Sequence, residues 1–151
     1  MSRMFAALAM ALALPAVAQA AAPGWEVGPL PEAPGSCRAR LEGPQVNLIL
    51  MINKDDKLVL MAASPAWRHD KADFDSLLAV NGATPVHVSG TSLGPLFLAL
   101  VSDDLYPKVH DAKTLDWALP DGQFHIAAPG IGSAIDTLRT CTKTEAAKAK
   151  P

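Results

Sequence analysis

The clearest hydrophobic pattern in the chain is a pair of apolar runs of strand length. Residues 46–53 (VNLILMIN) and 57–64 (KLVLMAAS) are separated by the polar residues 54–56, and this arrangement predicts a β-hairpin. Successive side chains of a strand point to opposite faces of a sheet, and in both runs the two sets are apolar. The pattern therefore predicts central strands that are covered on both faces.

Further short segments predict more strands. Residues 37–41 (CRARL), 84–90 (TPVHVSG) and 114–128 (TLDWALPDGQFHIAA) alternate apolar and polar positions, and the last of them contains a Pro-Asp-Gly turn. The apolar run 95–101 (PLFLALV) is too short for its period to separate a strand from a helix. Residues 64–73 (SPAWRHDKAD) are polar and mixed, which predicts a loop.

The C-terminal part of the chain predicts a helix that begins after Gly130. Its apolar positions fall on one helical stripe, which consists of Ile131, Ala134, Leu138 and Cys141. Ser133 and Asp136 have the spacing of a capping box. Residues 142–151 (TKTEAAKAKP) offer no core side chain larger than alanine, and we expect them to be disordered.

These elements predict one domain over residues 37–141. Its class is mainly β (α+β): an antiparallel β-sandwich or curled sheet of about six to eight strands, with the C-terminal helix packed on it. Residues 21–36 contain four prolines and three glycines, and they predict an extended or irregular lead-in. Trp25 and Val27 are the side chains that would anchor this lead-in to the domain.

The first 20 residues have the features of a secretory signal peptide. Arg3 precedes an apolar run, and Ala18 and Ala20 are small residues placed for cleavage after residue 20. A membrane-spanning helix needs about 20 apolar residues, and this run is shorter. We therefore expect a periplasmic or secreted bacterial protein without a stable membrane span after cleavage.

The cysteine count points to the same kind of compartment. The chain has two cysteines, Cys37 and Cys141, and in an exported protein such a pair predicts a disulfide bond. The alternative is two unpaired buried thiols.

Charge narrows the range of partners. The chain has 13 basic and 15 acidic residues, a net charge of −2, and signal cleavage would remove one basic residue, Arg3. There is no clustered basic face of the kind that binds nucleic acid or an anionic membrane. The oligomeric state stays open.

Trp67, Arg68 and His69 are the candidate binding residues. They lie in the most polar and varied predicted loop, and tryptophan and arginine are enriched at binding hot spots. In the alternative interpretation, Trp67 caps the edge of the core and its neighbours form a solvated turn.

His87 and His125 are the candidate metal ligands. Each alternates with apolar residues on a predicted strand, so the two would share an exposed face if their strands are neighbours. His69 or Asp70 would then complete the site. The alternative is that both are solvated polar positions, since no close histidine spacing exists in the sequence. No cofactor is predicted.

Ser133 is the candidate nucleophile of a hydrolase. The sequence around it, GIGSA, lacks the glycine offsets of the G-x-S-x-G turn, and capping of the helix is the favoured explanation of the serine. We therefore assign no catalytic residue, and an enzymatic function is not expected.

Several segments together resemble one family of exported proteins. They are WEVGPLPEAPGSCRA (25–39), the apolar hairpin with Trp67 after it, the VNG turn (80–82) and FHIAAPGIGSAIDTLRTC (124–141). In this order they resemble small exported bacterial proteins related to the invasion-associated locus B family. The resemblance implies a periplasmic or secreted β-rich domain without established catalytic residues, and it carries over no site. The two cysteines are fewer than some relatives have.

Three functions are open at this point. The favoured one is an exported, non-enzymatic domain that binds an envelope or extracellular protein, because no catalytic constellation is present. The second is a periplasmic carrier of a metal or small ligand that uses His87 and His125. The third is a hydrolase that uses Ser133 or the Asp and His residues of loops.

Overall fold

The computed structural model of the protein describes residues 22–151, so the predicted signal peptide lies outside the described residues. Nine strands and two helices follow one another in residues 22–151. They are β1 (Trp25–Pro29), β2 (Cys37–Leu41), β3 (Asn47–Ile52), β4 (Leu58–Ala63), β5 (His69–Val80), β6 (Val86–Gly94), β7 (Leu96–Leu100), α1 (Tyr106–His110), β8 (Thr114–Leu119), β9 (Gly122–Ala127) and α2 (Ile131–Lys148).

The strands form one curled antiparallel sheet in the order β1-β2-β3-β4-β7-β6-β5-β8-β9. Helix α2 packs on β1, β2 and β3. The predicted class is thereby confirmed: a mainly β domain built on a curled antiparallel sheet, with a C-terminal helix packed on it. The strand number is nine, above the predicted range of about six to eight.

Two strands include residues for which the sequence predicts irregular structure. The lead-in 21–36 contains β1, which pairs with β2 from Trp25 opposite Leu41 to Pro29 opposite Cys37. The predicted loop 64–73 contains the first residues of β5. These residues are polar, and backbone pairing with β6 stabilises them in place of apolar burial.

An irregularity in the β5–β6 pairing explains why the start of β5 shows no strand period. The register shifts between His69 and Ala72. At the shift, the Ser92 hydroxyl lies 3.2 Å from the carbonyl oxygens of both Asp70 and Ala72. A bulge of this kind interrupts the alternation of side chains between the two faces, and the alternation is the signal by which a strand is predicted from sequence.

Helix α2 differs from its prediction at both ends. Gly130 precedes it in the left-handed conformation (φ 69°), and no side chain caps the first turn, so the predicted capping role of Ser133 is wrong. A Cβ at Gly130 would lie 2.8 Å from the Cβ of Ala22, which leaves room for glycine alone. The predicted disorder of 142–151 is wrong over 142–148, because the helix continues to Lys148. Alanine, lysine and glutamate favour helix strongly.

The sheet has an inner face, which packs on the core and α2, and an opposite outer face. Directly paired residues share a face, and Ala39, Leu50, Leu60 and Ala99 form one inner row across β2, β3, β4 and β7. All four are buried.

The predicted disulfide is confirmed and belongs to the inner face. Cys37 and Cys141 are bonded, with a Cα–Cα distance of 6.0 Å and a sequence separation of 104. Cys37 is fully buried and lies two residues from Ala39 on β2, so the two side chains share the inner face. The bond therefore fixes α2 to the inner side of the sheet.

A buried hydrogen-bond chain joins three strands on the same face. Trp117 of β8 is fully buried, and its Nε1 donates to the Ser76 hydroxyl of β5 at 2.9 Å. That hydroxyl donates in turn to the carbonyl oxygen of Val88 on β6 at 2.8 Å. Trp117 Nε1 and the Ser76 hydroxyl, the two buried side-chain polar groups of this network, thus each have a partner, as burial requires.

Candidate functional site

The outer sides of β3, β4 and β7 are apolar like their inner sides. Their outer positions form two cross-strand rows, Ile49–Met61–Leu98 and Met51–Val59–Leu100. Leu100 is 53% exposed, and Leu93 at the end of β6 is 52% exposed. Of the other members of the two rows, Met61 is buried and the rest are half-buried. Because α2 packs on the inner side, the prediction that these strands are covered on both faces holds for the inner face and only in part for the outer face within residues 22–151.

A groove follows β6 on this outer face. Strand β6 lies between β5 and β7, and its outer side chains there, Ser89 and Thr91, are small. Gly90 lies between these two residues. A Cβ at Gly90 would lie 2.0 Å from the Leu98 carbonyl oxygen, so glycine lets β6 and β7 approach closely. Small side chains between larger ones on the neighbouring strands leave a depression, which we call the β6 groove.

One wall of the β6 groove is apolar and the other is acidic. On the β7 side the depression has a volume of about 360 Å³ and is lined by Val59, Leu93, Leu98 and Leu100. On the β5 side it has a volume of about 520 Å³ and is lined by Asp73, Phe74 and Asp75. Both parts share Ser89, Gly90 and Thr91. The two walls therefore belong to one continuous surface.

The acidic wall is oriented by hydroxyl groups of the floor. The Ser89 hydroxyl donates to Asp75 Oδ1 at 2.6 Å, and the Thr91 hydroxyl donates to Asp73 Oδ1 at 3.3 Å. Among residues 22–151 no Lys, Arg or His pairs with either carboxylate. Both side chains are exposed, and each keeps a second oxygen for another donor.

The predicted binding residues Trp67, Arg68 and His69 have different surroundings. The half-buried Trp67 ring packs on Phe97 and Phe124, with centroid distances of 5.0 and 5.6 Å. The Arg68 guanidinium donates to the carbonyl oxygens of Pro65 and Trp67.

His69 joins the same aromatic cluster as Trp67. Its ring centroid lies 4.8 Å from that of Phe97, and its Nε2 lies 2.9 Å from Asp121 Oδ2. Trp67 and His69 therefore meet at the edge of the core, whereas Arg68 folds back on its own loop. A binding role for the three stays a prediction.

The predicted metal ligands His87 and His125 are not brought together. His87 lies on β6 and His125 on β9, and β5 and β8 separate those strands in the sheet. Three strand spacings amount to about 14 Å, whereas two histidine nitrogens on one zinc ion lie within about 4 Å of each other. His125 instead has its Nδ1 2.6 Å from Asp116 Oδ1. Within residues 22–151, no group of three or more His, Cys, Asp or Glu side chains is placed to hold a metal.

The candidate nucleophile Ser133 is exposed on the first turn of α2. The adjoining helix α1 carries one histidine, His110. Its Nδ1 lies 3.1 Å from Asp111 Oδ1, and its Nε2 lies 3.2 Å from Asp136 Oδ1. The hydrogen bond to Asp111, aided by Asp136, raises the pKa of His110 above its ordinary value. Both nitrogens of His110 are thus engaged by carboxylates, which does not suit a general base for a serine.

A second polar depression of about 280 Å³ lies between the β3–β4 turn, α1 and α2. Its cations are already paired: Lys57 Nζ lies 2.6 Å from Asp103 Oδ1, and Arg139 Nη1 contacts Asp56 Oδ1. Arg139 also lies over the Tyr106 ring, 5.3 Å from its centroid. These contacts tie α2 to the sheet and leave neither cation free to attract a ligand.

Comparison with known proteins adds no relative. No protein-family model, no curated protein sequence and no solved structure matches this chain. The resemblance to the invasion-associated locus B family stays a prediction. In the part of the chain described by the structure, no helix is both long and apolar enough to cross a membrane.

The residues of the β6 groove are not among the site residues predicted from the sequence, although the chain carries one signal for them. Asp73, Phe74 and Asp75 alternate polar and apolar positions, as do residues 89–93 in part. That alternation predicts a strand with an acidic face. The mixed residues before Asp73 concealed it, because the bulge in β5 interrupts the period there.

Proposed function

We propose that this protein is an exported, non-enzymatic bacterial domain that binds an envelope or extracellular protein through the β6 groove. The observation that carries the proposal is the exposure of large apolar side chains, Leu93 and Leu100, beside a groove on an otherwise well-packed sheet. Contiguous exposed apolar surface marks interaction sites on monomeric domains.

Other features agree with export and with binding. The Cys37–Cys141 disulfide is typical of proteins that fold in an oxidising compartment such as the periplasm or the cell exterior. The signal-peptide pattern of residues 1–20 supports export of the mature chain to such a compartment. The cations of the depression between the β3–β4 turn, α1 and α2 are paired with carboxylates, whereas the carboxylates and leucines of the β6 groove have no such partners within residues 22–151.

Photocrosslinking in the producing cell tests this proposal. A photoreactive amino acid replaces Leu100 in one variant and the exposed Asp104 in a control variant, and adducts are identified by mass spectrometry after irradiation. We expect one discrete adduct with an envelope or secreted protein at position 100 and none at position 104.

Two results would contradict the proposal. Absence of an adduct at position 100, in a variant that keeps the wild-type melting temperature, would show that the groove has no protein partner. An adduct with the mass of two copies of this chain would show that the groove binds a second copy of the chain and not an envelope or extracellular protein.

A further inference from the structure

We infer that the β6 groove takes an amphipathic helix that carries lysine or arginine beside its apolar stripe. This inference rests on the proposed function, because it specifies the chemistry of the bound protein. It follows from the two walls of the groove, which differ in polarity and lie on the same side of the sheet.

The acidic wall calls for a cationic partner. Asp73 and Asp75 each accept one hydroxyl hydrogen bond, and they stand across β6 from Leu98 and Leu100. A partner that covered the leucines with purely apolar groups would also cover part of this wall and strip water from two carboxylates, which is unfavourable without compensation. Lysine or arginine side chains placed over the carboxylates supply that compensation.

The arrangement of the walls favours a helix over an extended segment. Strands β5 and β7 lie on either side of β6, about 9.6 Å apart. Neighbouring side chains of an extended segment point to opposite sides, so only one set would face the groove. A helix about 10 Å in diameter directs two adjacent stripes toward one surface. One stripe meets Leu93, Leu98 and Leu100, and the next meets the carboxylates.

The hydroxyl bonds fix where the cations bind. Asp75 and Asp73 are two residues apart on β5, on the same face, so their carboxylates are spaced about 7 Å along the strand. Residues three or four apart on a helix are spaced by about 5–6 Å. Two cations at such a spacing can therefore engage both carboxylates, as a helix laid along β6 would present them.

Binding of two model peptides to the folded protein tests the inference. The first is an 18-residue helix with a leucine stripe bordered by lysines, and the second has glutamate at every lysine position. Fluorescence anisotropy measures the Kd of each for the mature chain. We expect the lysine peptide to bind at least about tenfold more tightly than the glutamate peptide at low salt, and the difference to shrink as salt rises.

Matched variants locate the binding. Asp73→Asn/Asp75→Asn removes the acidic wall, and Asp55→Asn/Asp104→Asn makes the same change of net charge at exposed carboxylates elsewhere. We expect the first to weaken binding of the lysine peptide by about three- to tenfold and the second by less than about twofold. Leu100→Ser should weaken binding of the lysine peptide, whereas Leu77→Ser, at an exposed leucine outside the groove, should not.

Equal loss in the two aspartate variants would overturn the inference, because it would show a general attraction to an acidic protein. Equal binding of the two peptides would overturn it as well. If either of these results were found together with an adduct at position 100 in the cell, protein binding by the β6 groove would still be supported. Only the inference that the bound element is a cationic helix would be refuted. Circular dichroism and melting temperature confirm that every variant is folded.

Discussion

The inner and outer faces of β3, β4 and β7 are both apolar, but they differ in how far their side chains are covered. Leu48, Leu50 and Leu60 on the inner face are fully buried, whereas Leu100 on the outer face is 53% exposed. Inner and outer side chains alternate along each of these strands, so neighbouring residues of one strand lie on opposite faces. The comparison teaches that hydrophobic alternation identifies central strands but does not show which face is covered.

The inner face differs from the outer face in what covers it. Helix α2 turns Ile131, Ile135 and Leu138 toward the core, and all three are fully buried. Complete burial of a large aliphatic side chain contributes about 1.5–3 kcal/mol. The inner face thus supplies the stability of the fold, and the outer leucines retain most of their potential for contact with another molecule.

The largest expected effect is loss of the covalent link that holds the cover on the inner face. For a loop of this length, the chain-entropy model gives a stabilisation of about 4–5 kcal/mol. Cys37→Ala/Cys141→Ala should therefore lower the free energy of unfolding by an amount of this order, measured by urea denaturation. Reductant should shift the wild type toward the variant and leave the variant unaltered. An unchanged unfolding midpoint under reductant would contradict the role of the bond.

The next effect compares one leucine from each face. Leu60→Ala should cost about 2–5 kcal/mol, because it leaves a cavity in a packed interior. Leu100→Ala should cost less than about 1 kcal/mol, since the side chain is already half in water. Both are measured by the same urea titration. Comparable losses would mean that the outer face is covered in solution, and a dimer would then be sought by analytical ultracentrifugation.

Two serines on the two faces give a smaller and purely polar test. Ser76→Ala removes the acceptor of the buried Trp117 Nε1, and leaving this donor unsatisfied should cost about 1–3 kcal/mol. Ser89→Ala on the outer face removes a hydrogen bond to the exposed Asp75, and we expect a change within about 0.5 kcal/mol. Thermal unfolding of the two variants checks the contrast, and an equal shift in Tm would refute it.

The smallest effect concerns pH and the attachment of α2. His110 of α1 contacts Asp136 of α2 as well as Asp111, and these carboxylates raise its pKa in the folded protein. A raised pKa in the folded state gives a stabilisation that is fully present below the unfolded pKa of about 6.5 and is lost as pH rises through the folded value.

The corresponding variant is His110→Gln, with His87→Gln as its control. The deficit in unfolding free energy of His110→Gln relative to the wild type should be larger at about pH 5.5 than at about pH 8.5. His87 is exposed and makes no ion pair within residues 22–151, so His87→Gln measures the effect of exchanging a histidine for a glutamine by itself. A deficit that grew with pH would show that His110 stabilises the protein in its neutral form.

Much of the fold follows from local sequence, and the exceptions have identifiable causes. The β3–β4 hairpin, the strands β8 and β9 and the disulfide are all predicted, because each rests on a short pattern or on a pair of cysteines. The start of β5 is not predicted, since Ser92 of another strand satisfies its backbone at the bulge. The extension of α2 beyond Cys141 depends on helix propensity that outweighs the lack of core side chains.

The candidate site is predictable to a lesser extent. The apolar character of β4 and β7 can be read from the chain, but the pairing of Ala63 with Leu96 and of Ser92 with Phe97 brings distant segments together. The groove depends on this order, which places the small residues of β6 between β7 and β5. His87 and His125 illustrate the same limit, because their separation follows from two intervening strands that no local pattern reveals.

The position of α2 at the end of the chain has a consequence for synthesis. Strands β1, β2 and β3 are complete once residue 52 has been made, but the helix that covers them begins at residue 131. A product that stops before α2 therefore leaves Leu48 and Leu50 of β3 uncovered on the inner side, opposite Ile49 and Met51 on the outer side, and it lacks the cysteine that would bond to Cys37. Chains that stop before residue 131 are expected to associate with one another or to be degraded, because the inner side of the first three strands is protected only once α2 has been made.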